Sequence, residues 1–344
     1  MRVVIADPPA FTPQYDHALA AALARTGAEV ELVTSHFRYG AAPAPDGYVR
    51  SEPFYPLSSK LFGRSRLRVP LKVAEHPFGV AALVRRRADV LHMQWLVPEL
   101  DDRLLRPRTP SVFTAHDLLP RRTARKQRLW RDLLARFDRV VVHSERGRDA
   151  LAALDVEATV IPHPVFRSDP ERRDDGRTVL SLGVIREYKG LGDAIEAVRR
   201  AGARLLVAGN PLEPLDRHRA AAAGLEVDWR LGYLPEAELD LALGESTVAI
   251  FPYRPELDQS GALLRALGAG VPAIAYDVGG LAEPVRAFGA GRVVPPGDLE
   301  GLAAAIDEVL RDPEPFRLGA QRARDALTWD AAARAHIALY QEIA

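Results

Sequence analysis

Two cations three residues apart on a glycine-bounded turn are the first chemically suggestive feature of this sequence. Arg186 and Lys189 lie within Gly183-Val-Ile-Arg-Glu-Tyr-Lys-Gly190, between an apolar run and a helical pattern. A guanidinium offers two parallel donors and an ammonium a compact charge, and both suit phosphate oxygens. The same loop also reads as a solvated basic turn at a helix start. A second loop, residues 251–261, carries Glu256, Asp258, Gln259, Ser260 and Gly261 ahead of another helical pattern. N–H groups left unbonded at such a start attract anions. Alternatively, Ser260 does no more than cap the helix. A third loop runs from Tyr276 to Glu283. Its paired Gly279 and Gly280 let a ligand approach the backbone, and Glu283 could accept hydrogen bonds from a sugar or ribose. It could equally be an ordinary acidic first-turn residue. Each loop is weak alone; three at corresponding strand ends make a stronger case.

Positioning these loops falls to short apolar runs that alternate with helical patterns. In the first half the runs are Val3–Ile5, Val30–Thr34, Val90–His92, Ser111–Thr114, Val140–His143 and Thr159–Ile161, with a helix from Tyr15 to Arg25. They are continuous, not alternating, as in a parallel sheet covered on both faces. The pattern pauses at Pro162-His-Pro164 and in the polar stretch Arg167–Arg177, which reads as a linker. It restarts with Thr178–Leu182, Arg204–Ala208, Thr247–Phe251 and Pro272–Ala275. Helices are expected at Leu191–Arg200, Glu236–Leu243, Gly261–Leu267 and Leu299–Arg311. The reading is therefore α/β, with two Rossmann-like domains facing across a cleft. Residues 1–165 form the first and 166–327 the second, and a final helix, 328–344, is expected to pack back on the first. Ligands bind such sheets at the carboxyl ends of their strands.

Bulk composition narrows the function. The 344 residues include 46 basic and 46 acidic ones, so a nucleic acid partner, which calls for a basic footprint, is not expected. The absence of cysteine excludes disulfides, thiolate zinc sites and a cysteine nucleophile. Neither a signal-peptide pattern nor a membrane-length apolar run is seen, and a cytoplasmic protein is expected.

The motifs together resemble one family. Gly-x-Ile-Arg-x-Tyr-Lys-Gly, Leu-Gly-Tyr-Leu-Pro, Pro-Tyr-Arg…Gln-Ser-Gly and Gly-x-Pro-Ala-Ile-Ala-x-Asp-Val-Gly-Gly follow one another as in retaining GT-B glycosyltransferases of family four. The first half agrees more loosely, through Asp89–His92, Phe113–Asp117 and Val160–Pro164. The resemblance implies a nucleoside diphosphate sugar donor on the second domain and a hydroxyl acceptor on the first. The acceptor would be a saccharide, a lipid-linked group or a small molecule. Transfer would proceed with retained anomeric configuration and without a metal or other cofactor. It implies that Arg186 and Lys189 hold the diphosphate, with Gly183 in the same donor loop, and that His116 is the active-site histidine near the sugar. Acceptor-side contacts are expected from Tyr15, Asp16 and His92.

The sequence departs from the family's Glu-x7-Glu motif. Counting back from Gly270, the second glutamate's place is Arg265 and the first is Leu257, flanked by Glu256 and Asp258. The ribose then falls to Glu283 or another group. Two other readings remain: another GT-B chemistry, such as a sugar phosphorylase or nucleotide-sugar epimerase, and a catalytically silent partner subunit. A dinucleotide fingerprint at Gly268–Ala273 is set aside, because it follows a helix and precedes a strand. Two basic stretches, Ser59–Lys72 and Arg121–Trp130, suit a peripheral membrane contact or an anionic acceptor, or form a solvated arginine-rich face.

Overall fold

The structure is a computed structural model that describes residues 1–38, 40–60, 68–118, 125–254 and 259–344. It divides into two units: Met1–Pro162 with Trp329–Ala344, and His163–Thr328.

In the first unit the strands are β1 (Arg2–Asp7), β2 (Glu29–Ser35), β3 (Val49–Phe54), β4 (Val90–Met93), β5 (Ser111–Thr114), β6 (Arg139–Val142) and β7 (Ala158–Val160). All pair in parallel, in the order β3-β2-β1-β4-β5-β6-β7. Parallel pairing requires crossovers, supplied in part by α1 (Pro13–Arg25), α2 (Arg68–Val84), α3 (Pro98–Leu104), α4 (Gln127–Leu134) and α5 (Glu145–Ala152). Val4, Ala6, Leu91, Met93 and Phe113 are buried in the core that this sheet shares with α2 and α4.

The second unit repeats the plan with β8 (Thr178–Leu182), β9 (Arg204–Gly209), β10 (Val227–Leu231), β11 (Val248–Phe251), β12 (Ala273–Tyr276) and β13 (Gly291–Val294). The order is β10-β9-β8-β11-β12-β13, again all parallel. Its helices are α6 (Leu191–Arg200), α7 (Asp216–Ala221), α8 (Glu236–Gly244), α9 (Gly261–Gly268), α10 (Glu283–Phe288), α11 (Leu299–Arg311) and α12 (Glu314–Ala326). The last helix, α13 (Trp329–Ile343), lies against α1: Arg25 bonds Asp330 at 2.7 Å, and the Trp329 ring meets Tyr15 at 5.1 Å. These are two Rossmann-like α/β domains.

Strand order reverses between β1 and β4, and again between β8 and β11. Such switch points leave the loops beyond the strand ends splayed apart. In the second unit those strand ends carry residues 183–190 and, among the described residues, 252–254 and 259–260, which belong to two of the three loops singled out by their chemistry. The polar stretch expected to be a linker is instead fastened to the second unit. Arg172 donates to the carbonyls of Gly270 and Ser246, and the Asp175 carboxylate accepts from Thr178. Its charges are spent on local bonds, which polarity alone does not reveal.

Candidate active site

The three loops of the second unit are bonded into one site. The first leaves β8 at Gly183 and enters a single 3-10 turn, Glu187–Lys189, closed by Gly190 at φ +66°. A Cβ added at Gly190 would stand 2.0 Å from the carbonyl oxygen of Pro252, so only glycine lets the first loop lie this close to the second. A Cβ added at Gly183 would meet Ala262 of α9 at 3.3 Å and the Lys189 ammonium at 3.7 Å. Lys189, Gly183 and the start of α9 therefore converge.

The Lys189 ammonium is fixed in place. It donates to the Tyr253 hydroxyl at 2.7 Å and lies 4.4 Å over that ring. The Tyr253 hydroxyl in turn meets Ser260 Oγ at 3.1 Å. Tyr253 is buried, which pushes its phenol up and keeps it neutral as a link between the two. Ser260 also accepts from the Leu263 N–H, so it both caps α9 and supports the lysine chain. Arg186 is exposed, with no ion pair or side-chain hydrogen bond among the described residues. The Arg254 N–H donates to the Tyr188 carbonyl at 2.8 Å, joining the first two loops. Gln259 joins the second to the third, its Nε2 donating to Gly280 O at 2.9 Å. Glu283 opens α10, and its backbone N–H donates to the same carbonyl. Gly261 is the first, exposed residue of α9. Glu256 and Asp258 lie outside the described residues.

Arg265, standing where the family's second glutamate is expected, is committed to packing. It pairs with Glu236 of α8, and its guanidinium lies 5.3 Å from the centre of the Phe166 ring.

In the first unit, His116 follows the end of β5, half-buried, and is held on several sides. Its Nε2 meets Gln94 Oε1 at 2.8 Å, its ring stacks on Trp95 at 5.4 Å, and the edge of Tyr15 stands 4.6 Å away. An amide oxygen only accepts, so this bond places the proton on His116 Nε2. Gln94 is aligned in turn by His92, whose ring bonds Thr114 at 2.7 Å and Tyr340 at 2.6 Å. Burial pushes His92 well below the usual imidazole range and holds it neutral. Gln94 and Trp95 escaped the sequence reading. Their signal was available: Gln94 stands two residues beyond His92, on the same face of the strand direction.

The three acceptor-side expectations need correction. Tyr15, Asp16 and His92 are all buried, and none presents a face to an acceptor in this structure. They are supports instead. Asp16 lies beside Asp7 at the end of β1, and Thr12 joins both carboxyl groups, donating its N–H to Asp7 and its hydroxyl to Asp16. Trp95 Nε1 donates to the same Thr12 hydroxyl at 2.8 Å, so the pair braces the residue that stacks on His116. Burial pushes both carboxyls up, Asp7 to about 6 and Asp16 well above the ordinary carboxylate range. Two adjacent carboxyls in a dry site share a proton. Because their affinity for it is raised by folding, their contribution to stability is full below the unfolded value and falls as pH rises through about 6. Asp16→Asn retains a donor toward Asp7 without a titrating group. Its melting temperature should therefore change less than that of the unaltered protein between about pH 5 and pH 8. Equal slopes in the two proteins would show that the pair does not titrate in this way.

With this geometry in hand, known proteins can be compared. Residues 14–168 match the family described as Glycosyltransferase Family 4, and residues 176–312 match Glycosyl transferases group 1. A glycogen synthase from Mycobacterium tuberculosis is 33% identical over 163 residues, which are 44% of this chain but only 38% of that protein. A D-inositol 3-phosphate glycosyltransferase from Mycobacterium marinum is 28% identical over 340 residues, covering 84% of this chain and 71% of that protein. The sucrose-phosphate synthase structure from Thermosynechococcus elongatus superposes with a TM-score of 0.77 at 19% identity, over 99% of this chain and 98% of that one. That similarity shows the fold. The two family matches cover both units in turn, and the protein therefore belongs to the GT-B glycosyltransferases of family 4, group 1.

Proposed function

We propose that the protein is a retaining glycosyltransferase. It moves a sugar from a nucleoside diphosphate sugar to a hydroxyl of a saccharide, lipid-linked or small-molecule acceptor, without a catalytic metal. The observation that carries this reading is the Lys189 ammonium, held by Tyr253 and Ser260 beside the start of α9. A diphosphate seated there meets a fixed cation, the exposed fork of Arg186 and the positive end of a helix.

The chemistry follows from where charge develops. As the anomeric C–O bond breaks, its electron pair stays on the leaving phosphate oxygen. Lys189 and Arg186 stabilise that charge, and a pre-placed cation does so without reorganising. The acceptor hydroxyl attacks the same face of the sugar and gives its proton to the phosphate oxygen. Gln259 Oε1 is buried with no partner among the described residues, so a donor hydroxyl's hydrogen would satisfy it, with Glu283 as a second acceptor nearby in the loop network. From the first unit the reading calls on His116, whose ring Gln94 and Trp95 hold in place.

Thermal shift with UDP, GDP, ADP and dTDP, each with and without a chelator, tests the donor class. A ligand at about a hundredfold its Kd stabilises the fold by about 2.7 kcal/mol. One nucleotide should raise the melting temperature equally with and without chelator. The anomeric configuration of the product, read by NMR, should match that of the donor. An inverted product overturns the retaining assignment, and no shift with any nucleotide favours a silent GT-B partner subunit.

A further inference from the structure

The loop that leaves β1 holds one aromatic ring out in water. After Asp7 the chain runs Pro8-Pro-Ala-Phe-Thr-Pro13 into α1. Asp7 gathers this segment: its carbonyl accepts from the Ala10 N–H and its carboxyl from the Thr12 N–H, each at 3.1 Å. Ala10 turns the chain at φ +52°, a left-handed conformation that is costly for a residue with a Cβ. Between the two anchors Phe11 is turned outward and is 65% exposed. Strain of this kind, held by surrounding bonds, is found where a side chain must be placed.

Phe11 does not stand alone. Its ring meets that of Trp95 at 5.2 Å and 82°, so the two planes form a corner. Trp95 is fixed by its Nε1 donating to the Thr12 hydroxyl, and it stacks on His116 with 16° between the rings. Thr12 therefore serves both rings, its N–H tying down the loop that carries Phe11 and its hydroxyl setting Trp95. With Tyr15, Asp16 and His92 buried, an acceptor beside His116 meets this corner instead.

Size and charge narrow the occupant. Phe11 is the one exposed large apolar side chain among residues 8–25 and 94–98, so a lipid chain has no strip to follow there. Residues 8–15 and 94–98 carry no charge, so a phosphate finds no cation in either segment. The basic stretches supply no such partner among the described residues: residues 61–67 and 119–124 lie outside these, Lys72 is packed over Tyr55, and Trp130 is buried. A pyranose suits both limits. One side of its chair is a patch of C–H bonds that packs on an aromatic ring, while its rim of hydroxyls stays wet and one of them can attack.

We propose that Phe11 and Trp95 form the acceptor-recognition wall of the first unit, and that the acceptor is an uncharged pyranose stacked on Phe11. This deepens the transferase reading and rests on it. Saturation-transfer NMR with methyl α-glucopyranoside, methyl α-mannopyranoside, maltose and cellobiose, and with glucose 6-phosphate and mannose 6-phosphate, reads binding without turnover. At least one neutral sugar should bind, with the strongest saturation on the C–H protons of one ring face. In transfer assays Phe11→Ala should raise that sugar's KM at least about tenfold, a larger change than in kcat, because the ring contributes binding and not chemistry. Phe11→Tyr keeps the ring and should recover most of the loss. Phe11 faces solvent, so the melting temperature of Phe11→Ala, and its rise with nucleotide, should match those of the unaltered protein. Three results would overturn the proposal: no neutral sugar saturated, binding of the 6-phosphates alone, or an unchanged KM in Phe11→Ala. Any of these with the nucleotide shift intact removes the aromatic wall only, whereas loss of the shift with every nucleotide removes the transferase reading itself.

Discussion

Lys189→Ala is expected to lower turnover at saturating donor by about a hundred- to a thousandfold while leaving the fold intact. That is the scale on which one pre-placed electrostatic group acts on a developing charge. The ammonium is not a freely moving surface charge, because Tyr253 fixes its position through both a hydrogen bond and its ring face. Removing it leaves the Tyr253–Ser260 bond in place, so the loop should keep its shape and the loss should fall on turnover. Tyr253→Phe separates position from charge. The ammonium remains and its ring platform is nearly the same, but the hydroxyl that orients it is gone. A smaller loss than in Lys189→Ala is expected. Arg186→Ala should weaken donor binding as well as turnover, since its exposed fork must be ordered by the ligand. Normal kinetics in both Lys189→Ala and Arg186→Ala would remove the phosphate from this site.

Gly190→Ala should have the largest effect on stability, about 2–4 kcal/mol, through a single methyl group. Two penalties combine: φ of +66°, which L-residues adopt at a cost, and a Cβ that would stand 2.0 Å from the Pro252 carbonyl. The obstacle is backbone, so no side chain can swing aside. Relief requires the first and second loops to part, and that also separates Lys189 from Tyr253. Gly192, two residues on in α6, is the control: nothing lies within 4 Å of an added Cβ there, and its φ is not strained. Gly192→Ala should be neutral or slightly stabilising, as expected for a helix position. Urea unfolding of the two variants reads the difference directly. Similar midpoints would mean that the close approach of the loops is not required.

The central strands were legible because they are covered on both faces and read as short, largely apolar runs, such as Val3–Ile5 in β1 and Val248–Phe251 in β11. The strands that escaped, β3, β10 and β13, all lie at sheet edges. Edge strands need hide only part of their surface. Accordingly, β3 carries Arg50, Glu52 and Pro53, β10 alternates charge with Leu and Trp, and β13 begins with glycine and arginine. Loop chemistry in the second half was readable because cations, glycines and a cap each leave a local mark. The bonds that join those loops were not, since Lys189 and Tyr253 are 64 residues apart. In the first half, residue type misled. Tyr15, Asp16 and His92 look like ligand-binding groups, but burial turns them into supports for Trp95, Gln94 and His116. Nothing in a single sequence separates an exposed histidine from a buried one at a strand end.

The return of α13 to the first unit bears on the order in which the protein matures during synthesis. Tyr340 is the hydrogen-bond partner of His92, and His92 aligns the amide that holds His116. A ribosome delivers Tyr340 only after every strand of the second unit has emerged. The later-made unit can thus complete its core while the earlier-made one still lacks a helix. Domains generally fold as they are released. Here the histidine laid down about a third of the way along the chain acquires its final orientation last, so a growing polypeptide holds a formed cation site before it holds an aligned imidazole.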